Sequence, residues 1–317
     1  MLVPFLRRAL WPSLAACLFA SAPASAQLRA EGPPVRLLAD GAAAVQPVWS
    51  PDGAQIAFTR DGYVGLWAMD ADGDNVRQLS EEPAAGFGFA WSPDGRAIAA
   101  RVARLDGVRR TDAIKQFELT GEEETLIDYA ASTPSVPLWL DAYRVGVVRA
   151  GELDVRTTSE APRLVALTGE TVVGAGPDGI RVADLETGNL RDVHPLGEGA
   201  LLNAVVSPDG QRVAFEAMGG GLHVMDRDGS NRIELGTGHR PAWSPDGRWV
   251  VFMTTEDDGH VFTAADLVAA RTDGSARVEL TTTPDRLEMN PSWSPDGRAI
   301  AFDDATDGAL YLLPITE

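Results

Sequence analysis

The sequence predicts an all-β fold, a single β-propeller of four-stranded antiparallel blades, and three observations predict it. A pentapeptide Trp-Ser-Pro-Asp-Gly recurs, a short apolar run follows each copy two residues later, and no segment of useful length has helical periodicity. Units that recur every 37 to 50 residues have the period of a propeller blade. The full copies begin at Trp49, Trp91, Trp243 and Trp293, and a fifth copy begins with Val206 in place of Trp.

The pentapeptide and the apolar run form a strand, a turn and a second strand. Proline presets φ, glycine supplies a positive φ, and the aspartate carboxylate can bond nearby backbone amides, so the repeated aspartates are expected to be structural. Residues 65–69 are typical of a third strand, and the polar turn 72–75 leads to a short fourth strand at 76–79. The repeated tryptophans occupy a fixed place on the first strand, which favours packing between blades over a sugar-binding platform.

The number of blades depends on the degenerate middle of the chain. Pro93 and Pro208 are 115 residues apart, and this interval contains two candidate blades. One begins at Trp139 and extends to Val165, and a compact one occupies residues 171–193. The count is therefore seven blades, with six left open because the second candidate is short.

Closure of the ring is also predicted by the sequence. The last unit ends at Glu317 after three strands, and residues 35–38 resemble a fourth strand. We expect this N-terminal strand to complete the C-terminal blade, so that no sheet edge remains between the first and last blades.

The Trp-Ser-Pro-Asp-Gly strand, the following apolar-Ala-Phe strand and the Asp-Gly-Ser-Asn turn resemble the repeats of the TolB propeller, a WD40-like repeat family known as PD40. The resemblance covers nearly all of residues 27–317, and it implies a propeller that binds other proteins in the cell envelope. The TolB propeller itself has six blades and follows an α/β domain. Here about eight residues separate Ala26 from the first predicted strand, too few for such a domain, so the resemblance concerns the propeller alone.

The N-terminus predicts export. Arg7 and Arg8 precede the apolar residues 9–20 and the small-residue site Ala24-Ser25-Ala26, which indicates a signal peptide over 1–26 and a single mature domain over 27–317. The alternative is a lipoprotein, because residues 14–17 resemble a lipobox ending in Cys17. The arginine pair also leaves twin-arginine export open beside the general secretory route. Both interpretations place the protein in the periplasm or outside the cell.

Composition excludes several classes of function. Cys17 is the only cysteine, so cleavage after Ala26 leaves no thiol for disulfides, nucleophilic catalysis or zinc. Loss of Arg7 and Arg8 with the leader changes the formal charge from −19 to −21, which opposes binding to nucleic acid. No later apolar stretch has the length of a transmembrane helix. We expect a monomer without cofactor.

Three motifs favour structural roles over ligand binding. Residues 174–179 have the glycine spacing of a dinucleotide fingerprint, but a strand follows where that motif needs a helix. Residues 70–75 resemble the start of a calcium loop, but the glycine is at its fourth position instead of the sixth. Among the four histidines, His223 lies in a strand and is expected to be a hydrogen-bonded structural residue. No metal site is expected.

The sequence favours binding over catalysis. Propellers of this type also precede hydrolase domains, but the chain has no G-x-S-x-G elbow and no α/β segment to hold one. The alternative function is a lactonase-like or glycosidase-like propeller hydrolase with carboxylates in its central channel. Three or more carboxylates or histidines within metal-ligand distance there would favour it.

The predicted binding face is the mouth opposite the Pro-Asp-Gly turns, because its loops vary in length and chemistry on a rigid scaffold. Two predicted loops stand out there, residues 101–112 and residues 254–265. The alternative is that their charges are merely solvated. The basic candidates are Arg101, Arg104, Arg109 and Arg110; the second loop carries Glu256, Asp257, Asp258, His260 and Phe262; the apolar candidates are Phe87, Phe89, Leu287 and Met289.

Overall fold

The fold is an all-β propeller of seven blades, as the sequence predicted, and the alternative of six is wrong. The computed structural model describes residues 27–38, 41–159, 166–176, 179–197 and 199–317. The predicted signal peptide over 1–26, the alternative lipobox ending in Cys17 and the predicted strand at 163–165 lie outside these residues. Strands of the described part form seven antiparallel sheets that follow one another along the chain. No helix in that part is long and apolar enough to cross a membrane.

Two short strands open the described chain, β1 (Arg29–Ala30) and β2 (Val35–Leu38). Blade 1 then consists of four strands, β3 (Ala44–Trp49), β4 (Gln55–Arg60), β5 (Val64–Asp70) and β6 (Arg77–Ser80). A turn of 3₁₀ helix, Asp61–Tyr63, joins β4 to β5. Blade 2 has longer middle strands and consists of β7 (Phe89–Trp91), β8 (Ala97–Asp106), β9 (Arg109–Glu118) and β10 (Glu123–Ala130).

Blades 3 and 4 occupy the degenerate middle of the chain and have three described strands each. Blade 3 consists of β11 (Leu138–Trp139), β12 (Arg144–Arg149) and β13 (Glu152–Thr157). Blade 4 consists of β14 (Glu170–Gly176), β15 (Gly179–Asp184) and β16 (Leu190–Val193). The hydrogen bond from Leu185 N to Gly169 O repeats the bond from Ala71 N to Ala54 O in blade 1. By this comparison β14 corresponds to a second strand, and only 12 residues (158–169) separate it from β13.

Blades 5 and 6 again have four strands. Blade 5 consists of β17 (Leu201–Val206), β18 (Arg212–Ala217), β19 (Gly221–Asp226) and β20 (Ile233–Thr237). Blade 6 consists of β21 (His239–Trp243), β22 (Trp249–Asp257), β23 (Phe262–Arg271) and β24 (Arg277–Glu279). Its β22 and β23 have 9 and 10 residues, close to the 10 residues of each middle strand of blade 2.

Blade 7 closes the ring with strands from both ends of the described chain. Its C-terminal strands are β25 (Glu288–Trp293), β26 (Ala299–Asp304) and β27 (Ala309–Thr316). Both β1 and β2 pair antiparallel with β27, with Ala30 opposite Ile315 and Val35 opposite Leu312. The predicted closure is confirmed.

The five Ser-Pro-Asp-Gly turns share one hydrogen-bond pattern. In the first, Ser50 Oγ donates to Asp52 Oδ1 at 2.6 Å and accepts from Gln55 N at 2.9 Å. The pKa of Asp52 is lowered, first by the hydrogen bond from Ser50 and then by that from Ala54 N. Gly53 has φ 72°, which only glycine adopts without strain. The repeated aspartates are therefore turn residues.

The core lies between neighbouring blades. Apolar residues of blade 1, such as Ala57 and Leu66, pack with Ile98, Val102 and Phe117 of blade 2. The first-strand tryptophans join this packing. Three of them also hydrogen-bond to the preceding blade at 2.9–3.0 Å: Trp91 Nε1 donates to Val48 O, Trp139 Nε1 to Ala90 O and Trp243 Nε1 to Val205 O. This supports packing between blades as their role.

Ring closure yields a stability prediction. Leu38 is buried between blades 7 and 1, so Leu38→Ala is expected to lower the free energy of unfolding by about 2–4 kcal/mol. Deletion of residues 34–39 should lower the melting temperature of the whole ring further, because the pairing with β27 is also lost.

Thermal and urea unfolding measure both effects. The matched control is Val35→Ala in the same strand, whose exposed side chain should make a change of less than about 0.5 kcal/mol. A deletion variant that melts at the wild-type temperature would contradict a closing role for this segment.

Candidate interaction face at the loop mouth

The two ends of the ring differ in chemistry. We call the end with the Ser-Pro-Asp-Gly turns the turn mouth. The opposite end, formed by the connections from second to third strands and from each blade to the next, is the loop mouth. Of the twelve large apolar side chains that are exposed in the described part, nine lie at the loop mouth: Val64, Phe87, Leu105, Val108, Val136, Leu202, Met218, Val261 and Phe262. This concentration identifies the loop mouth as the candidate interaction face.

The basic segment 101–112 is a hairpin of two long strands, where the sequence predicted a loop. Pairing is continuous from Ala97 opposite Glu118 to Asp106 opposite Arg109, and only Gly107 and Val108 form the tip. Continuous pairing satisfies the backbone polar groups, so the segment can extend as sheet beyond the apolar core. We call it the blade 2 hairpin.

The acidic segment 254–265 is likewise a hairpin, and we call it the blade 6 hairpin. Pairing extends to Asp257 opposite Phe262. Two of the predicted acidic residues shape its tip, since the carboxylate of Asp257 accepts from Gly259 N and that of Asp258 from His260 N and Val261 N. The backbone hydrogen bonds hold the pKa of Asp258 below its usual value. Glu256, His260 and Phe262 are exposed around that tip.

The two hairpins stand on nearly opposite sides of the loop mouth. Blades 7 and 1 separate them in one direction around the ring, and blades 3, 4 and 5 in the other. The blade 2 hairpin carries arginines, whereas the blade 6 hairpin carries carboxylates. A partner that covers the mouth therefore meets opposite charges at its two ends.

Three predicted site residues meet in a cleft between blades 1 and 2, which we call the blade 1–2 cleft. It has a volume of about 280 Å³, and its lining includes Tyr63, Phe87, Arg101, Leu105 and Arg110. The rings of Tyr63 and Phe87 meet edge to face with centroids 5.3 Å apart, and the Arg101 guanidinium stacks on Phe87 at 4.8 Å. Aromatic and cationic groups thus share one concave surface.

Arg104 turns away from this cleft. Its guanidinium stacks on Tyr129 at 3.8 Å, and the Tyr129 hydroxyl donates to Glu82. Glu82 also pairs with Lys115, the only lysine of the chain, which bonds to Glu123 at 3.1 Å. Burial and then the hydrogen bond to Glu82 raise the pKa of Tyr129. This network joins blade 2 to the loop before it.

The remaining predicted anchors are half-buried. Phe89 packs against the core between blades 1 and 2, and Met289 against the core between blades 6 and 7. Leu287 N donates to Asp304 Oδ1 at 3.2 Å. These three residues are therefore less accessible to a partner than Phe87 and Phe262, which are exposed at the loop mouth.

A set of polar residues on the first strands was missed by the sequence analysis. Gln46, Asn203, Arg240 and Asn290 each stand three residues before the start of a pentapeptide, and each has a positive φ of 48–56°. A break in register accompanies every one, as at a β-bulge. Their common position in the repeat was a signal that alignment of the units would have found.

Two buried carboxylates hold these bulges to the neighbouring blade. Asp303 Oδ1 accepts from Gln46 N of blade 1 and from Asn290 Nδ2 of its own blade, both at 2.9 Å. Glu216 repeats this arrangement, since it accepts from Arg240 N of blade 6 and from Asn203 Nδ2 of its own blade. Both follow a buried phenylalanine in the second strand. They serve as connections between blades.

The environment of Asp303 is polar but closed to solvent. Burial raises its pKa to about 7, although the hydrogen bonds from Asn290 and Gln46 and the charge of Arg240 oppose this shift. With its amide oriented to satisfy its neighbours, Gln46 donates to Gly86 O and accepts from Arg240 Nη1 at 3.2 Å. Blades 1, 6 and 7 therefore meet through polar contacts.

His223 is structural, but its environment differs from the expected one. Its ring stacks on Phe215, the residue opposite it in the sheet, with centroids 5.4 Å apart, and its Nδ1 has no hydrogen-bond partner. Trp67 and Tyr311 occupy the same place on Phe58 and Phe302. Burial lowers the pKa of His223, which favours the neutral ring. His223 thus replaces a larger aromatic ring in the repeat.

No group of three or more His, Cys, Asp and Glu residues in the described ranges could hold a metal ion. A second cavity, of about 310 Å³, lies between blades 3 and 4. It is lined by Arg181 and Asp192, which pair with each other at 2.8 Å.

Comparisons with known proteins bear on the fold. No protein-family model and no curated protein matches the chain. Among solved structures, a protein described as TolB from Agrobacterium tumefaciens is 20% identical, with a TM-score of 0.52 over 86% of this chain and 90% of that one. The propeller domain of Cps50 (Swd1) from Myceliophteria thermophila is 11% identical, with a TM-score of 0.60 over 90% and 100%.

An oligogalacturonate lyase in complex with manganese is also similar, at 14% identity with a TM-score of 0.51 over 89% of this chain and 93% of that one. At such identities the likeness concerns the propeller fold alone, which hosts binding proteins and enzymes alike. The resemblance to the TolB propeller is therefore supported for the architecture.

The buried Asp303 predicts a fall in stability as pH rises. Its pKa is about 7 in the folded protein against an ordinary value of 3.8, so between these values the folded state holds a proton that the unfolded chain has released. The resulting advantage is fully present at the acidic end and is lost as pH rises to 7. The resulting loss in the free energy of unfolding from pH 5 to pH 8 is at most about 3 kcal/mol.

Urea unfolding at pH 5 and pH 8 measures this effect. Asp303→Asn should show a smaller decline than the wild type, with part of the decline left because burial also raises the pKa of Glu288. Asp307→Asn, at a partly exposed carboxylate of the same blade, is the control and should keep the wild-type decline. An equal decline in Asp303→Asn and the wild type would show that this carboxylate is not the source.

Proposed function

We propose that this protein is an exported binding module of the cell envelope that holds a protein partner on its loop mouth and performs no catalysis itself. The observation that carries the proposal is the concentration of nine exposed large apolar side chains at that mouth. An interface needs apolar anchors that become buried on association, and scattered single residues do not supply them.

Charge on the two hairpins adds specificity to this face. Exposed arginines at the rim of an interface accelerate association with a partner of opposite charge. The basic blade 2 hairpin is exceptional on a chain with a formal charge of −19, so it would orient a partner with a local acidic patch. The acidic blade 6 hairpin would favour a basic patch at the other end of the same partner.

The proposed compartment rests on the N-terminus. Arg7 and Arg8, the apolar residues 9–20 and the small residues 24–26 have the order of a secretory signal. The resemblance of the repeats to those of the TolB propeller is the second ground for proposing this compartment.

The test is capture from an envelope extract by immobilised protein, quantified by mass spectrometry. Arg109→Glu reverses an exposed charge at the tip of the blade 2 hairpin and should weaken capture of the partner about tenfold at low salt. Its melting temperature should stay within about 1 °C, because exposed charges contribute little to stability.

Arg110, the neighbouring basic candidate, is less suitable for charge reversal than Arg109. Its guanidinium bonds to Asp112 Oδ1 at 2.8 Å, and Asp112 is buried, so a carboxylate at position 110 would destabilise the hairpin. Arg232→Glu, an exposed reversal at the turn mouth, is the matched control and should capture the partner normally. If it weakens capture and Arg109→Glu does not, the partner binds the turn mouth.

A further inference from the structure

We propose that the blade 1–2 cleft recognises a large apolar residue with an adjoining Asp or Glu, presented by a loop of the protein partner. This inference rests on the proposed function and names the chemistry that one part of the loop mouth would accept.

The apolar half of the site is an exposed aromatic wall. Phe87 keeps 48% of its surface exposed although Tyr63 packs edge to face against it. Pro83 and Leu105 continue this wall, and the volume of about 280 Å³ is just below the usual range for ligand pockets. A space of this size accepts one large side chain. An exposed ring held in place by its neighbours loses little entropy when a partner covers it.

The polar half is a buried guanidinium whose hydrogen-bonding capacity is largely unused. Arg101 is 8% exposed, and its Nη1 donates to Pro134 O at 2.8 Å. Its Nε is buried without a hydrogen-bond partner. Burial lowers the pKa of Arg101, the sign that its charge is only partly compensated.

The charges around the cleft leave room for one carboxylate. Two guanidinium groups, Arg101 and Arg110, line it, and Asp112 compensates part of their charge. Asp112 already accepts two bonds from Arg110 on Oδ1 and one from Thr133 Oγ1 at 3.0 Å on Oδ2. Its remaining capacity is therefore small. A carboxylate from a partner would balance the excess positive charge and form charge-assisted hydrogen bonds.

The aromatic wall and the guanidinium are in direct contact, because Arg101 stacks on Phe87 at 4.8 Å. An apolar side chain laid on Phe87 therefore has its own backbone neighbours within reach of the arginines. This adjacency selects an apolar residue next to an acidic one. An isolated carboxylate or an isolated apolar group would use half of the site.

Saturation-transfer NMR with short blocked peptides tests this pairing. The probes are acetyl-Ala-Phe-Glu-Ala-amide and its Phe-Gln counterpart, which differ in the carboxylate alone. We expect the Phe-Glu peptide to bind with millimolar affinity and at least fivefold more tightly than the Phe-Gln peptide. The difference should shrink as salt is raised, because part of it is electrostatic.

Variants locate the binding in the cleft. Phe87→Ala should abolish the saturation-transfer signal of both peptides, and Arg110→Gln should reduce the preference for Glu over Gln. The matched control is Phe262→Ala, which removes a phenylalanine of similar exposure, 44%, on the blade 6 hairpin and should leave peptide binding unchanged. Melting temperatures of all three variants report whether the fold is intact.

Equal binding of the Phe-Glu and Phe-Gln peptides, or normal binding to a folded Phe87→Ala protein, would overturn the inference. A third probe, acetyl-Ala-Phe with a free carboxyl terminus, distinguishes a loop from a chain end. If that probe alone binds, the cleft recognises a C-terminus and the proposed loop is wrong. The proposed function is tested separately, since Arg109→Glu can weaken capture of the partner while no peptide binds the cleft.

Discussion

The ring depends on the antiparallel pairing between strands from the two ends of the described chain. Strand β27 has β26 on one side and both β1 and β2 on the other, so the last blade is incomplete without the N-terminal residues. Leu28 and Leu38 bury their side chains in the clusters that this pairing creates. At the other terminus, Trp249 Nε1 of blade 6 donates to Glu317 Oε1 at 2.9 Å. Both ends of the described chain therefore stabilise the same part of the ring.

In the closed ring, the uniform turns lie at one mouth and the variable loops and hairpins lie at the other. At the turn mouth every Ser-Pro-Asp-Gly turn repeats the same serine, aspartate and backbone bonds, and this uniformity leaves little room for specificity. At the loop mouth the second strands of blades 2 and 6 extend well past the core as hairpins of opposite charge. The exposed apolar side chains and the blade 1–2 cleft lie there as well. The exposed apolar and charged side chains are concentrated where the repeat is least regular.

Glu216 and Asp303 are buried carboxylates that lie between the two mouths and connect neighbouring blades. Each accepts a hydrogen bond from the bulge amide of the following blade and one from an asparagine of its own blade. Burying a carboxylate is costly, and the hydrogen bonds offset part of that cost. The bulges in turn give first-strand residues a positive φ that unbulged strands avoid. These carboxylates therefore help to hold neighbouring blades together.

Much of the architecture could be predicted because local rules decide it. A proline, an aspartate and a glycine in sequence specify a turn whatever surrounds them, and the repeat period sets the blade. The closing strand was predictable because residues 35–38 resemble the missing fourth strand. The same local rules apply to His223. An alignment of the units would have placed its ring opposite Phe215, on which it stacks.

The candidate site depended on contacts between segments far apart in the chain. Arg101 and Arg104 are three residues apart in one strand, yet one stacks on Phe87 in the cleft and the other on Tyr129 outside it. Phe89 and Phe87 are two residues apart, and only the second is exposed. Sequence alone determined the propeller fold, narrowed the count to seven or six blades, and predicted the mouth on which variable segments gather. The tertiary structure decided which side chains meet there, because neighbouring blades bring together residues whose sequence separation carries no information about distance.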